Sequence, residues 1–128
     1  MCKMWRTPKV FNKRAKGNAY EQVARQYLKK QGLKFIANNV NFKGGEIDLI
    51  MEDGAQLVFV EVRYRSNKQF GGAAASVIYS KQQKLIHAAQ LYLQQQYGNQ
   101  PPSCRFDVIA IEGNNKQESI DWLKNVFA

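Results

Sequence analysis

Two apolar runs joined by Asp53-Gly54 constrain the fold of this chain more than any other stretch. The runs are "EIDLIME" and "QLVFVEVRY", both of strand length, and Asp-Gly strongly favours a two-residue hairpin turn. The sequence therefore predicts an antiparallel hairpin. Three carboxylates, Glu46, Asp48 and Glu61, interrupt these runs, where β-branched and aromatic side chains are usual.

The turn decides whether these carboxylates meet. With Asp53-Gly54 as the loop, Glu46 lies opposite Glu61, and Asp48 lies diagonal to Glu61. Because strand side chains alternate between faces, Glu46 and Asp48 then share the face that carries Glu61. A slip of one residue would separate Asp48 from Glu61. We therefore expect all three carboxylates to converge.

Convergent carboxylates need a cation, because like charges repel across strands and lose solvation on burial. Mg²⁺ fits such a site, since it takes carboxylate oxygens and keeps waters for substrate phosphates. The alternative is a structural ion pair between Glu61 or Glu46 and Arg63 or Arg65. The residues by themselves leave both interpretations open.

The rest of the chain supplies helices for both sides of a sheet. Apolar spacing predicts helices from about Asn18 to Gln31 and, capped by Ser80, from about Lys81 to Tyr97. Further strands are predicted at "LKFIANNV" and "CRFDVIAI", a loop at "SNKQFGG", and a strand or a helix at "SIDWLKNVFA". The order α-β-β-β-α-β predicts an α/β domain over 17–128 with a mixed sheet. Residues 1–16 are predicted to be a flexible basic arm.

Two helical residues could reach the carboxylates. Glu21 lies on the flank of the apolar stripe of the first helix, and Lys81 is in line with Leu85 on the second. The alternatives are a solvated glutamate and a snorkelling lysine. His87, the only histidine, falls on the polar side of its helix, so we reject it as a catalytic base.

The charge distribution favours a polyanionic partner. The net charge is +9, and residues 1–20 and 62–106 contain Lys and Arg but no acid. Such a surface attracts nucleic acid, although a merely soluble basic protein is the alternative.

No apolar run has the ~20 residues of a membrane span, no signal peptide is recognisable, and two distant cysteines form no disulfide framework or zinc cluster. We expect a reduced, cytoplasmic protein without a membrane partner.

Several motifs resemble those of known nucleases. "GEIDLI" followed by "FVEVR" resembles the Asp and Glu-x-Lys core of the PD-(D/E)xK nuclease superfamily, and "KGNAYEQVARQYLKKQG" resembles the first helix of archaeal Holliday junction resolvases. From about Lys16 to Phe127 the chain is identified as a member of the uncharacterised bacterial YraN family. The resemblance rests on these motifs and on "FGGAAASV" with a following lysine and "CRFDV", all in the family's order.

The resemblance implies a restriction-endonuclease-like three-layer fold and a metal site. Asp48 and Glu61 take the metal-binding positions for Mg²⁺ or Mn²⁺, and Glu21 takes that of the helix glutamate. Arg63 stands where the superfamily has lysine, and a permanently charged guanidinium can hold phosphate but is a poor base. Either the metal alone supplies hydroxide, or Lys81 replaces the missing lysine, or the site no longer cuts.

The implied activity is that of a metal-dependent DNA endonuclease acting on structured or single-stranded nucleic acid, selective for shape rather than sequence. Resolvases are dimers, so a homodimer is one expectation. The candidate backbone-binding residues are Arg14, Lys16, Arg65, Lys68 and Lys84. The alternatives are an inactive nucleic-acid-binding module and an adaptor in a repair or translation assembly.

Glu46 has no assigned role, and Asp107 is either a fourth acid or an ion-pair partner of Arg105.

Overall fold

The chain forms a five-stranded sheet with two long helices. The computed structural model describes the backbone of residues 12–65, 79–114 and 117–127 and the side chains of 19–65, 79–113 and 118–127. The elements are α1 (Asn12–Lys30), β1 (Lys34–Phe42), β2 (Gly45–Asp53), β3 (Gln56–Arg65), α2 (Tyr79–Tyr97), β4 (Cys104–Asn114) and β5 (Gln117–Leu123). The predicted loop at 66–72 lies outside the described residues.

The sheet is mixed, as predicted. Its strands lie in the order β1-β2-β3-β4-β5. β3 and β4 pair in parallel, and the other neighbours are antiparallel. The predicted order was correct as far as β4 but incomplete, because the tail supplies a fifth strand whose residues are paired with β4.

Each helix packs on its own face of the sheet, so the architecture is α/β/α. The α1-side cluster is centred on the buried residues Ala24, Leu28, Leu49, Met51, Val58, Val60, Ile109 and Ile111. The α2-side cluster is centred on Ile47, Ile50, Leu57, Phe59, Leu85, Ala88, Ala89, Tyr92 and Phe106. Burying apolar surface contributes roughly 25 cal/mol per Å², so these two layers hold the helices to the sheet.

Both helices begin earlier than predicted. α1 starts at Asn12 rather than Asn18, so residues 12–16 of the predicted arm belong to the helix, while residues 1–11 lie outside the described part. α2 starts at Tyr79, so Ser80 lies within the first turn and is not the cap. Neither described helix is long and apolar enough to cross a membrane.

The end of α1 follows the glycine signal in the sequence. The Leu33 N–H donates to the Leu28 carbonyl at 3.1 Å, and the Gly32 N–H donates to the Lys29 carbonyl at 3.0 Å. These are the two hydrogen bonds of a Schellman motif. Gly32 has φ of 102°, which a residue with a Cβ rarely adopts. The chain therefore reverses here and enters β1.

The hairpin register differs from the predicted one by two residues. Asp53 pairs with Gln56, so the loop is Gly54–Ala55. Gly54 has φ of 63°, and a glycine at the first loop position is typical of a type II′ turn. The predicted pairing of Glu46 with Glu61 is therefore wrong. A shift of two residues keeps each side chain on the same face of the sheet. Glu61 therefore remains on the face that strand alternation predicted.

The predicted alternation along β2 fails at Asp48. Leu49 packs in the α1-side cluster and Ile50 in the α2-side cluster, as alternation requires. Ile47 also packs in the α2-side cluster, although it is three residues from Ile50. The prediction that Ile47 and Leu49 share a face is therefore wrong. Asp48 lies at the point where β2 rotates about its axis, so that the side chains before and after it no longer follow one alternation between the two faces.

Asp107 is a structural residue rather than a fourth acid of the site. Its fully buried carboxylate accepts hydrogen bonds from the Arg105 Nε at 3.0 Å, the Trp122 Nε1 at 2.9 Å and the Asn125 N–H at 2.9 Å. The Arg105 Nη2 reaches Asp53 at 3.0 Å. The ion pair proposed from the sequence is confirmed, and it ties β5 and the tail to the start of β4.

Removing this carboxylate should destabilise the domain. We expect Asp107→Ala to lower the free energy of unfolding by about 3 to 5 kcal/mol, because a buried cation and two further donors lose their acceptor. Urea denaturation followed by tryptophan fluorescence measures the change. Asp121→Asn, an exposed position on β5, is the matched control, and equal effects of both substitutions would contradict the role given to Asp107.

Candidate functional site

Asp48 lies in the gap where β2 and β3 separate. The backbone pairing of the hairpin runs from Asp53 and Gln56 as far as Leu49 and Val60. Beyond it, the Asp48 Oδ2 accepts the Val62 N–H at 3.0 Å. A side chain thus takes the place of a backbone carbonyl as the acceptor from β3. The carboxylate is held between the strands, where groups from either face of the sheet can approach it.

Glu61 approaches from the α2 side. Its side chain is only 7% exposed. The Arg63 Nη1 lies 3.5 Å from the Glu61 Oε2, and the Lys81 Nζ lies 3.8 Å from the same oxygen. The expectation that Lys81 faces the sheet is confirmed. The ion pair between Glu61 and Arg63, which the sequence left open, is present. The nitrogens of Arg63 and Lys81 nevertheless lie at distances from the Glu61 carboxylate that are long for an ion pair.

Glu21 approaches from the α1 side. It is half-buried, and its Oε1 is buried without a hydrogen-bond partner among the described residues. Burial is the largest reason that the pKa of Glu21 is raised to about 8, and the negative charge of Asp48 adds to it. A hydrogen bond from the Asn39 side chain acts in the opposite direction. Glu21 therefore belongs to the site and is not a solvated surface glutamate.

The carboxylates raise one another's pKa values. Burial, and then the charge of Asp48, raise the pKa of Glu61 to about 7, although Lys81 and Arg63 lower it. Burial also raises the pKa of Asp48, against the effect of the Val62 N–H. The two cations near Glu61 thus leave the local negative charge incompletely compensated. An additional cation would relieve this repulsion.

A cleft of about 360 Å³ opens beside Glu61. The β1–β2 turn forms one wall and the first turns of α2 form the other, with Glu46, Lys81 and Lys84 among the lining residues. A Cβ on Gly45 would overlap the Lys84 carbonyl oxygen. Gly45 therefore allows β2 to approach α2 closely, and this approach brings Lys81 and Lys84 to the wall of the cleft.

The acids do not by themselves form a complete metal cage. Within residues whose side chains are described, no three His, Cys, Asp or Glu side chains stand close enough to be ligands of one ion. Mg²⁺, however, is commonly bound through one or two carboxylates and several waters. A pair of carboxylates such as Asp48 and Glu61 suits that pattern.

Comparison with known proteins identifies the family. A family model described as "Uncharacterised protein family UPF0102" matches residues 20–111. The chain belongs to the UPF0102 family. It is 50% identical over 121 residues to a UPF0102 protein of Enterobacter sp. strain 638, covering 94% of this chain and 89% of the relative. It is 54% identical over 112 residues to the UPF0102 protein YraN of Salmonella agona, covering 87% and 82%.

A UPF0102 protein of Pectobacterium carotovorum is 53% identical over 119 residues, which cover 92% of this chain and 98% of the relative. Together with the Salmonella relative, this match confirms the family that the motifs indicated. The matched residues 20–111 include Glu21, Asp48, Glu61 and Lys81. The site therefore lies within the part of the chain that the family shares.

The predicted backbone-binding residues of this UPF0102 protein are only partly placed. Lys84 lines the cleft, and Arg65 is exposed at the end of β3. Arg14 and Lys16 lie on α1, but their side chains and the whole of Lys68 lie outside the described residues. Their proposed contacts stay predictions.

Sequence reasoning missed two residues that shape the site. The motifs and their spacing assign no role to Gly45 or to Asn39. The glycine pair before "EIDLI" was a usable signal, because a glycine beside a strand often marks a close backbone approach. For Asn39 the signal was weak, since only the fold reveals its partner on α1.

The raised pKa values predict a pH-dependent stability without metal. Glu21 has an ordinary pKa of 4.5 and a folded value of about 8, so between these values the folded chain holds a proton that the unfolded chain releases. Its contribution is complete below about pH 4.5 and is lost as the pH rises to 8. In EDTA, we expect the free energy of unfolding to fall by on the order of a few kcal/mol over this range.

Urea denaturation at several pH values measures this profile. Glu21→Gln should flatten it, because the amide does not titrate. Glu118→Gln, at an exposed position on β5, is the matched control and should follow the parent protein. A parent profile that rises over this range, or a Glu21→Gln profile that keeps the full slope, would contradict the burial of Glu21.

Proposed function

We propose that this UPF0102 protein is a divalent-metal-dependent endonuclease with a restriction-endonuclease-like fold. One observation carries the proposal. Burial raises the pKa values of Glu21 on α1 and Glu61 on β3, and the charge of Asp48 on β2 raises both further, beside a cleft that is lined by Lys81. A fold gains no stability from such repulsion, so the arrangement favours a function that needs it.

The donor set fits a hard divalent cation. Asp48 and Glu61 would hold Mg²⁺ or Mn²⁺ directly, and Glu21 would reach it through water, since these acids do not form a three-ligand group. When bound, the ion supplies Lewis-acid chemistry, lowering the pKa of a water and neutralising charge on phosphate. The Glu21 Oε1, which is buried and has no hydrogen-bond partner in the described part of the chain, could accept a hydrogen bond from that water.

The basic residues act on the phosphate. Lys81 and Arg63, both within 4 Å of Glu61, would hold the scissile phosphate at the carboxylates and stabilise the charge that develops on it. In the hydrolysis, the oxygen of water forms a new bond to phosphorus. The bond to the leaving sugar oxygen breaks, and that oxygen takes up a proton. In this proposal, Lys81 takes the role that the motif lysine has in related nucleases, because Arg63 occupies the position of that lysine here.

The charge of the chain supports DNA as the substrate class. With a net charge of +9, binding would release counterions from the phosphate backbone. Lys84 and Arg65 contact phosphates in this proposal, and phosphate contacts carry no sequence information. Selectivity would then depend on the shape of structured or single-stranded DNA. The homodimer suggested by the resolvases stays a prediction.

An inactive nucleic-acid-binding module is the second candidate. Arg63 in place of lysine favours it, as does the lack of a three-ligand group among the described side chains. The retained acids weigh against it, because a protein that only binds phosphate gains nothing from carboxylates facing its ligand. Metal binding separates the two candidates.

The first test is metal binding at Asp48. We expect isothermal titration of Mn²⁺ to give one site in the parent protein and at least a tenfold weaker one in Asp48→Asn, because a carboxylate ligand is lost. Glu52→Gln, four residues along β2 and paired with Lys34 at the far end, is the matched control.

A parallel assay uses flap, junction and single-stranded DNA with and without Mn²⁺. DNA binding without Mn²⁺ binding or cleavage would favour the binding module.

The second test separates the two cleft lysines. Lys81→Gln should lower the single-turnover cleavage rate roughly 10²- to 10³-fold, because a donor to the developing charge is lost, while Mn²⁺ affinity is kept. Lys84→Gln should weaken DNA binding and reduce the dependence of log Kd on log salt concentration by about one, with little change in the rate at saturation. Equal rate losses in both variants would contradict these separate roles.

A further inference from the structure

Asn39 has an unusual backbone for the middle of a strand. Among the described residues, it and Asn125 are the two non-glycine residues with positive φ, and Asn39 has φ of 51°. Asparagine tolerates this left-handed region better than most residues. Asn39 is the sixth of the nine residues of β1, with three more strand residues before the β1–β2 turn. A conformation of this cost is kept only where the surrounding structure requires it.

The backbone change at Asn39 coincides with the rotation of β2 at Asp48. Asn38 pairs with Leu49 and Val40 pairs with Ile47, so Asn39 and Asp48 stand opposite each other. Ala37 and Val40, three residues apart, both pack against the α2-side cluster. Alternation is therefore broken on both strands at the same level. The left-handed residue on β1 lets both strands rotate together.

The Asn39 side chain reaches across to α1. Its amide lies close enough to the Glu21 carboxylate to lower the pKa of that group, while the Glu21 Oε1 is buried without a hydrogen-bond partner among the described residues. An amide holds a carboxylate in place without cancelling its charge. Glu21 is thus fixed on one side, and its other oxygen is left for a ligand.

We propose that Asn39 is a positioning residue for the site. Its left-handed backbone rotates β1 and β2 so that Asp48 lies between β2 and β3, and its side-chain amide holds Glu21 on the Asp48 side. The consequence for metal binding rests on the proposed function; the coupling between Asn39 and Glu21 does not. Asn39 therefore acts through its backbone conformation and through its side chain. A substitution that keeps the first and removes the second can test the two effects separately.

The side-chain role is tested without metal by a double-mutant cycle. Asn39→Gly keeps access to positive φ and removes the amide, and Glu21→Ala removes its partner. We expect Asn39→Gly to lower the urea midpoint in the parent protein at pH 8.5 and to have a clearly smaller effect in the Glu21→Ala background. Asn125→Gly, at the exposed asparagine that also has positive φ, should have the same effect in both backgrounds. Additive effects of Asn39→Gly and Glu21→Ala would overturn the inference.

The link to the site is tested by Mn²⁺ titration of the same variants. Substitution of residues that orient a ligand typically changes metal affinity 10- to 100-fold, and we expect a loss of this size in Asn39→Gly and none in Asn125→Gly. Non-additive stability with unchanged Mn²⁺ affinity would overturn the positioning role. Non-additive stability in a parent protein that binds no Mn²⁺ would support the link between Asn39 and Glu21 and would overturn the proposed function instead.

Discussion

The hydrogen bond from the Val62 N–H to the Asp48 carboxylate is the interaction on which the rest of the site depends. The backbone pairing of β2 and β3 ends just before it. Without a substitute acceptor, a part-buried N–H of β3 would be left unpaired, which costs about 1 to 3 kcal/mol. A side chain that pairs with the backbone lets the two strands separate at this point. The gap between them becomes the place where both faces of the sheet meet.

This geometry explains how two helices on opposite faces serve one site. α1 brings Glu21 and α2 brings Lys81, and a continuous sheet would keep them apart. At the gap, the charge of Asp48 raises the pKa of Glu21, and the charge of Lys81 lowers the pKa of Asp48. The carboxylates remain repulsive, because Arg63 and Lys81 stand at long distances from Glu61. Elsewhere in the same sheet, Asp107 is compensated by three short hydrogen bonds. The contrast separates an acid that stabilises the fold from acids whose repulsion the described residues leave incompletely compensated.

Sequence patterns predicted the elements well and their exact relations less well. The α/β class, the mixed sheet and the helix on each face followed from apolar spacing and turn residues. The hairpin register was two residues off, because an Asp-Gly pair can place its glycine at either loop position. The early start of α1 and the strand β5 carried no strong local signal. β5 forms because its residues pair with β4 and because Trp122 donates to Asp107.

The sequence by itself determined which residues are chemically suited to the site: residue type, strand alternation and helix periodicity selected Asp48, Glu61 and Lys81, and the resemblance to nuclease motifs added Glu21 and Arg63. Tertiary structure alone decided how they meet. Local rules place each side chain on a face of its own element, and they predicted Asp48 on the same face as Glu46. The left-handed Asn39 and the rotation of β2 place it between the strands instead. Such a rotation depends on pairing between residues distant in sequence, which no single segment encodes.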